Sequence, residues 1–293
     1  MTQQQRRSPT LLLDGDLLMF RAASLSENET CWDEEEDIWT LECNHKQAKE
    51  KFNAYVDFYR RKLKGGKLVV AISDRANFRK LVYPDYKGNR KTQRKPVGFR
   101  ALLDWIMDES VGHPWRPLCK PTLEADDLIG ILHTRPDSHT IAVSDDKDFM
   151  QLPGTFARIG VGDRKMEVFE ITEEDADRFF YTQCISGDAT DGYSGAKGFG
   201  FDTASKLITG YTAIELYEHE LKAGKRKGEV EMRKRERPAT SYWDIVESAY
   251  HACGMTPEDA LLTARMARIL RWSDYDHAKK EPILWSPSIS TSN

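Results

Sequence analysis

LLLDGD (Leu11–Asp16), VVAISD (Val69–Asp74) and IAVSDDKD (Ile141–Asp148) decide the fold: each is a short, β-rich apolar run that ends in aspartate. Apolar runs of this kind read as strands buried on both faces, the sort that build parallel sheets. In an open α/β sheet the carboxyl ends of such strands build the site. Two further acidic clusters, LEADD (Leu123–Asp127) and ISGDATD (Ile185–Asp191), follow the same habit. One Asp after a strand is often only a helix N-cap or turn former, and acids in a first helical turn are favoured by the dipole. Glu124, Asp126 and Asp127, however, stand in an otherwise apolar helix start, where three acids cost free energy unless something positive offsets them. Carboxylates crowded at one edge make physical sense around divalent cations, and all-oxygen ligands select Mg²⁺ or Mn²⁺ over zinc. The pattern reads as a two-metal phosphodiesterase.

The chain of 293 residues, 40% hydrophobic, is long enough to bury a sizeable core, and is expected to form one α/β domain with a helical extension. No stretch reaches the roughly twenty apolar residues of a membrane span. MTQQQRRSPT at the start lacks the apolar core of a signal peptide and reads as a disordered lead over 1–10. The five cysteines are scattered and never form CxxC, which predicts reduced thiols in a cytoplasm and no zinc site.

Net charge is −4, but it is segregated. Residues 75–100 hold nine Lys/Arg against Asp85, and residues 222–237 hold eight against three Glu; these runs are +8 and +5, leaving −17 on the remainder. Such asymmetry fits a protein that steers a polyanion past basic walls toward an acidic centre. Phe78, Tyr83, Tyr86 and Phe99 interleave the first run and favour DNA contact over a merely solvated face. Glu27–Glu42, with eight acids and no Lys or Arg, reads as a solvated helix face with Trp32 and Trp39 turned inward.

The α/β core is expected over 11–170, with the 75–100 run as a partly helical insertion containing Pro84, Gly88, Pro96 and Gly98. Phe52, Tyr55, Val56, Tyr59 and Leu63 recur at helical spacing before Gly65-Gly66. A mainly helical region is expected over 171–285, holding the basic segment 222–237, and a disordered tail over 286–293. Thr172 with Asp175, and Thr256 with Pro257 and Asp259, mark helix starts. SGAKGFGFDTASKLI (Ser194–Ile208) has a Gly-x-Gly turn leading into a helix, the logic of a helix-hairpin-helix (185–208) that grips a DNA backbone through N–H groups without reading bases.

Taken in order, DGD, SD, YKGNRK, LEADD, SDDKDF and GDATDGYSGAKGFG resemble the 5′ nuclease (PIN-like) superfamily, which includes flap endonucleases and the 5′ nuclease domain of bacterial DNA polymerase I. DGDLLMF, PDYKGNRK, KPVGF, GDATDGYSG and MARILR are similar to the 5′→3′ exonucleases of T7-like bacteriophages, from about Leu11 to about Trp285. The resemblance implies a mostly parallel central sheet flanked by helices, a helical arch over 75–100 and a C-terminal helix-hairpin-helix region. It implies Asp14, Asp74, Glu124, Asp126, Asp127, Asp146, Asp148, Asp188 and Asp191 as carboxylates for two Mg²⁺ ions, with Mn²⁺ able to substitute, directly or through water. Asp74 and Asp146 are counted as catalytic along with Lys87 and Arg90, the basic pair acting on the scissile phosphate. Tyr86 is expected to stack near the 5′ end. Arg79, Lys91, Lys197, Gly198, Gly200 and Thr203 complete the implied DNA contacts.

Two departures stand out. Phe199 and Asp202 occupy places where the family usually has Ile and Lys, so backbone amides and a monovalent cation are expected to supply the attraction at the hairpin. Asp16 and Asp145 are extra acids, left outside the metal set. The implied activity is 5′→3′ hydrolysis of double-stranded DNA from a free 5′ end or nick, also of RNA–DNA hybrids, in phage replication, recombination and DNA degradation in the infected host cytoplasm. A phage single-stranded DNA-binding protein is an expected partner; a membrane is not. A structure-specific flap endonuclease is the main alternative. A non-catalytic DNA-binding module conflicts with the filled carboxylate positions, and a dehalogenase-type phosphatase would need Thr or Val where Leu18 stands.

Overall fold

The computed structural model describes residues 8–160 and 165–287. Most of the expected lead and tail lies outside the described residues. The chain divides into two compact units. One comprises Met1–Phe78, Thr92–Thr172 and Ile269–Pro282; the other comprises Arg79–Lys91, Glu173–Arg268 and Ile283–Asn293. A single break at residue 170 therefore does not describe it, because part of the basic insertion groups with the later unit and 269–282 returns to the first.

The elements up to residue 172 are β1 (Thr10–Asp14), α1 (Gly15–Ser24), β2 (Glu27–Asp33), β3 (Ile38–Cys43), α2 (His45–Lys62), β4 (Leu68–Ala71), α3 (Phe78–Val82), α4 (Phe99–Met107), β5 (Arg116–Leu118), α5 (Ala125–His133), β6 (Thr140–Ser144), β7 (Gly154–Arg158) and β8 (Glu167–Ile171). The sheet of the first unit runs β5-β4-β1-β6-β7-β8, parallel except for the antiparallel β7–β8 pair. Leu11 lies between Leu68 and Ile141, and Leu11, Leu12 and Leu13 are buried, as the apolar run requires of a central strand. Phe52, Val56 and Tyr59 of α2 pack on this sheet beside Val70 and Val143, and each fully buried large side chain contributes roughly 1.5–3 kcal/mol. Asn44 caps α2 by accepting from the Gln47 N–H. Gly15 lets α1 start hard against β4: a Cβ there would lie 2.5 Å from the Ala71 carbonyl oxygen.

The returning segment is stitched to α5 and its surroundings. The Leu270 N–H donates to Asp127 at 3.1 Å, the Ile269 N–H to the Gln151 side chain at 2.9 Å and the Trp272 N–H to Thr134 Oγ1 at 2.7 Å.

Glu27–Glu42 is not a helix. It is the β2–β3 hairpin, with Trp32 70% and Trp39 54% exposed rather than turned inward. Both indoles donate within the hairpin, Trp32 to Thr40 Oγ1 and Trp39 to Asp37, each at 2.8 Å. Its root is tied down by Glu27, which accepts from the Arg94 guanidinium and from the Val97 N–H at 2.7 Å.

In the second unit α6 (Glu173–Ser186), β9 (Gly187–Asp188), β10 (Tyr193–Ser194), α7 (Phe201–Thr209), β11 (Thr212–Glu220), β12 (Val230–Pro238), α8 (Tyr242–Ala252) and α9 (Pro257–Ala267) follow in order. Thr256 and Asp259 cap α9 reciprocally, as their spacing predicts. Phe180, Ile185, Tyr193, Ile208, Val246 and Tyr250 form the core. The mainly helical region expected over 171–285 contains α6–α9 but is interrupted at 212–238, where β11 and β12 make an antiparallel ribbon. The ribbon is moored to α8 by Arg237 on Asp244 at 2.7 Å and by the Ile214 N–H on Ser248 Oγ at 2.9 Å. All five cysteines are free thiols. Among the described residues no helix is long and apolar enough to cross a membrane.

Candidate functional site

Parallel strands with matched register bring their C-terminal ends to one edge. Asp14, the last residue of β1, lies opposite Ala71, and Leu13 opposite Val143, so Asp14, Asp74 and Asp146 leave the same side of the sheet. Asp14 is both N-cap and cluster member: its carboxylate accepts from the Leu17 N–H at 3.0 Å and from Ser144 Oγ at 2.7 Å. Ser144 Oγ in turn accepts from the Asp146 N–H at 3.1 Å, tying two acidic strand ends through one hydroxyl. Asp146 accepts from the Asp148 N–H at 2.9 Å, closing the short 3-10 turn Lys147–Gln151. Asp74 accepts from the Thr122 N–H at 2.8 Å, which aligns the approach to α5.

Burial, joined by the charge of Asp16 and more weakly of Asp146, pushes the Asp14 carboxyl up to about 6 in spite of its hydrogen bonds from Ser144 and Leu17. Burial also raises Asp16, with the charge of Glu124 adding to it, while Ser73 and Lys95 pull it down. Asp16 accepts from the Ser73 N–H at 3.3 Å. Left outside the metal set on sequence grounds, it belongs electrostatically with Asp14 and Glu124. The signal was the DGD repeat itself. Asp145 has another task, pairing with Arg21 at 3.0 Å and with Arg158 at 3.6 Å.

LEADD divides. Glu124 is the N-cap of α5 and forms a reciprocal capping box with Asp127. Asp127 is fully buried and accepts from the Glu124 and Leu270 N–H groups, so it locks the helix start in place rather than facing the cluster. Asp126 is half-buried in the first turn. Among the described residues no three His, Cys, Asp or Glu already converge as a closed ion cage. The donors at this edge are all oxygen, and burial with neighbouring carboxylates disfavours the charged forms of Asp14 and Asp16, which fits hard divalent cations.

The second unit holds a different arrangement. Asp188 accepts from the Thr190 N–H at 2.7 Å and the Asp191 N–H at 3.3 Å, shaping the β9–β10 turn. Gly187, at φ +67°, is required there, since a Cβ would come within 2.2 Å of the Gly195 nitrogen. Asp191 is surrounded by partners: Tyr86 donates its hydroxyl at 3.1 Å, Lys87 Nζ lies at 3.5 Å and the Arg90 guanidinium pairs with it. Arg90 Nε also donates to the Thr190 carbonyl at 3.2 Å. The 3-10 turn Gly88–Thr92, which includes Lys91, follows from Lys87, whose left-handed φ of 55° and N–H bond to the Asp191 carbonyl at 2.8 Å fix its backbone.

Two expected DNA contacts are corrected. Tyr86, 2% exposed and stacked near Tyr193, is a core residue that orients Asp191 and has no free ring face for a 5′ terminus. Arg79, 2% exposed, donates to the carbonyls of Met266 at 3.2 Å and Arg268 at 2.5 Å, so it clasps the end of α9 instead of reaching solvent. Phe78 is likewise buried. Lys197 and Thr203 are exposed beside Gly198 (φ +86°) and Gly200, the N-cap of α7.

A mostly parallel sheet gathering aspartates at its C-terminal edge, with flanking helices, is the PIN-like 5′ nuclease fold. Residues 9–178 match the family described as 5′-3′ exonuclease, N-terminal resolvase-like domain. The chain is 37% identical to the exonuclease of Escherichia phage T7, over 94% of this chain and 93% of that one. It is 36% identical to the exodeoxyribonuclease of Enterobacteria phage T3, over 94% and 92%. It belongs to the 5′→3′ exonuclease family and is a nuclease. A solved structure, T5 5′-exonuclease with divalent metal ions (zinc) bound, shares the fold with a TM-score of 0.50 at 21% identity, covering 70% of this chain and 76% of that one.

Proposed function

We propose that the protein hydrolyses duplex DNA from free 5′ ends and nicks, leaving 5′-phosphate products, and that it uses two Mg²⁺ ions, for which Mn²⁺ can substitute. The observation that carries the reading is the edge of the parallel sheet, where the register of β1, β4 and β6 brings out Asp14, Asp74 and Asp146 together and Ser144 Oγ joins Asp14 to Asp146, in a chain of this family. An edge so crowded with acids cannot approach a phosphate without cations. Asp14, Asp16, Asp74, Glu124, Asp126, Asp146 and Asp148 would hold them, whereas Asp127, fully buried in the capping box of α5, fixes the helix start and Asp191, already paired with Lys87 and Arg90, positions those cations. When bound, the ions would make a water acidic enough to attack near neutral pH and would neutralise charge on the phosphate.

The protein's own groups do the rest. Lys87 and Arg90, oriented by Asp191, bind non-bridging oxygens and stabilise the charge that grows there. The Gly198–Gly200 turn with Lys197 and Thr203 grips backbone phosphates without reading bases, with a monovalent cation at the turn. The T7 and T3 relatives are an exonuclease and an exodeoxyribonuclease. The same activity is inferred for this chain, together with RNA removal from hybrids, roles in phage replication and recombination, and action beside a phage single-stranded DNA-binding protein.

The test is to size products from 5′-labelled blunt, nicked and flapped duplexes with Mg²⁺, with Mn²⁺ and with excess EDTA. Short products from blunt and nicked ends, lost in EDTA, are expected. Preferential release of whole flaps would favour the flap endonuclease alternative. Activity surviving EDTA, or digestion from 3′ ends, would overturn the reading.

A further inference from the structure

Strand β12 concentrates cations, and the structure sorts them. Arg233 pairs with Glu231 at 2.8 Å and Arg235 with Glu215, its cross-strand partner, also at 2.8 Å. Arg237 is held by Asp244 at 2.7 Å, and Arg226 in the connecting loop by Glu229 at 2.6 Å. A cation that carries its own counter-charge offers a polyanion little net attraction. Lys234 is different. Among the described residues it belongs to no ion pair, and its ammonium stands over the Phe199 ring, 5.8 Å from the centroid. Strand alternation produces the separation: Lys234 is opposite Leu216, whereas Arg233 and Arg235 are opposite Tyr217 and Glu215 and face the other side.

Phe199 lies between Gly198 and Gly200 and is itself packed on the core of the second unit, so the ring is a fixed seat for the ammonium. The first turn of α7 carries Asp202, a charge of the wrong sign for gripping a phosphate. We propose that Lys234 adds a protein cation to this turn, beside Lys197, and so offsets Asp202. The ribbon delivers it from β12 to the Gly198–Gly200 turn, where it binds a non-bridging oxygen of the DNA backbone, while the arginines beside it brace the ribbon and do not bind DNA. This assignment rests on the reading of the chain as a DNA nuclease and names which charge of the basic segment meets the substrate.

The experiment is equilibrium binding of a blunt, 5′-phosphorylated duplex over a salt series in EDTA, then steady-state kinetics with Mg²⁺. Lys234→Ala should lower the log–log salt slope by about 0.9, the value of one phosphate contact, and raise KM several-fold with kcat held. Lys234→Arg should restore both. The charge-conserving double variant Arg235→Ala with Glu215→Ala should keep the wild-type slope. A Lys234→Ala slope equal to wild type, no rescue by Arg, or an equal loss in the double variant overturns the assignment while leaving the nuclease reading intact. Wild type that neither binds nor cuts the duplex sinks both.

Discussion

Asp14 and Asp191 are carboxylates of the same expected set, and the chain treats them in opposite ways. Asp14 is buried beside Asp16 and Asp146, steadied by hydrogen bonds from Leu17 and Ser144, and its carboxyl is pushed up to about 6. Asp191 receives a phenol, an ammonium and a guanidinium. The first arrangement would be relieved by a cation. The second is already neutralised, and it holds Lys87 and Arg90 at a defined place. Acids that look alike in sequence thus divide into those left beside other carboxylates and those already paired with cations.

That contrast can be broken at three points. The largest effect is expected from Asp146→Asn, which removes a cluster oxygen: turnover should fall by on the order of 10³-fold or more, with duplex affinity kept or improved, because a negative charge near the phosphate is gone. Single-turnover rates alongside binding isotherms would check this, and near-normal turnover would refute the cluster. Next, Lys87→Ala should lower the single-turnover rate by roughly 10²–10³-fold while the dissociation constant moves only a few-fold. If affinity collapses and the bound rate is intact, Lys87 is a docking residue and the positioning role of Asp191 is wrong.

The smallest effect lies in the pH dependence of stability without metal. The folded pKa of Asp14 is raised from 3.8 to about 6, so its contribution is fully present below 3.8 and is lost as pH rises through about 6. Buried His133, lowered to about 4 by burial, acts in the opposite sense, since its contribution is lost as pH falls below its unfolded value of about 6.5. Comparing wild type with Asp14→Asn cancels the histidine. In EDTA the variant should melt higher at pH 8, and the gap should close as pH falls through about 6; a gap independent of pH would mean that Asp14 is not strained by its neighbours.

Much of this architecture was legible in the sequence, for physical reasons. A central parallel strand must be apolar throughout, so Leu11–Leu13, Val69–Ile72 and Ile141–Val143 declared themselves, and the acids at their ends came with them. The hairpin β2–β3 and the ribbon β11–β12 did not, because exposed two-stranded ribbons need no buried face and leave little alternation in the sequence. Arg79 and Tyr86 looked like surface members of a basic, aromatic run. Their partners, the Met266 carbonyl and Asp191, lie 187 and 105 residues away, and local composition carries no trace of them. Asp16 was visible but passed over, since spacing alone could not tell a spare first-turn acid from one facing Asp14 and Glu124.

The stitching of residues 269–272 to the first unit sets a condition on how the chain is made. Asp127 and Gln151 are fully buried, and each accepts from a backbone N–H at the far end of the polypeptide. An amino-terminal fragment ending before Ile269 would leave these acceptors short of donors inside a core, where each loss costs about 1–3 kcal/mol. On the ribosome, then, the sheet that carries the acidic edge is translated early, with every strand within residues 10–171. The bonds that hold α5 and Gln151 beside it close only after residues 269–272 have emerged.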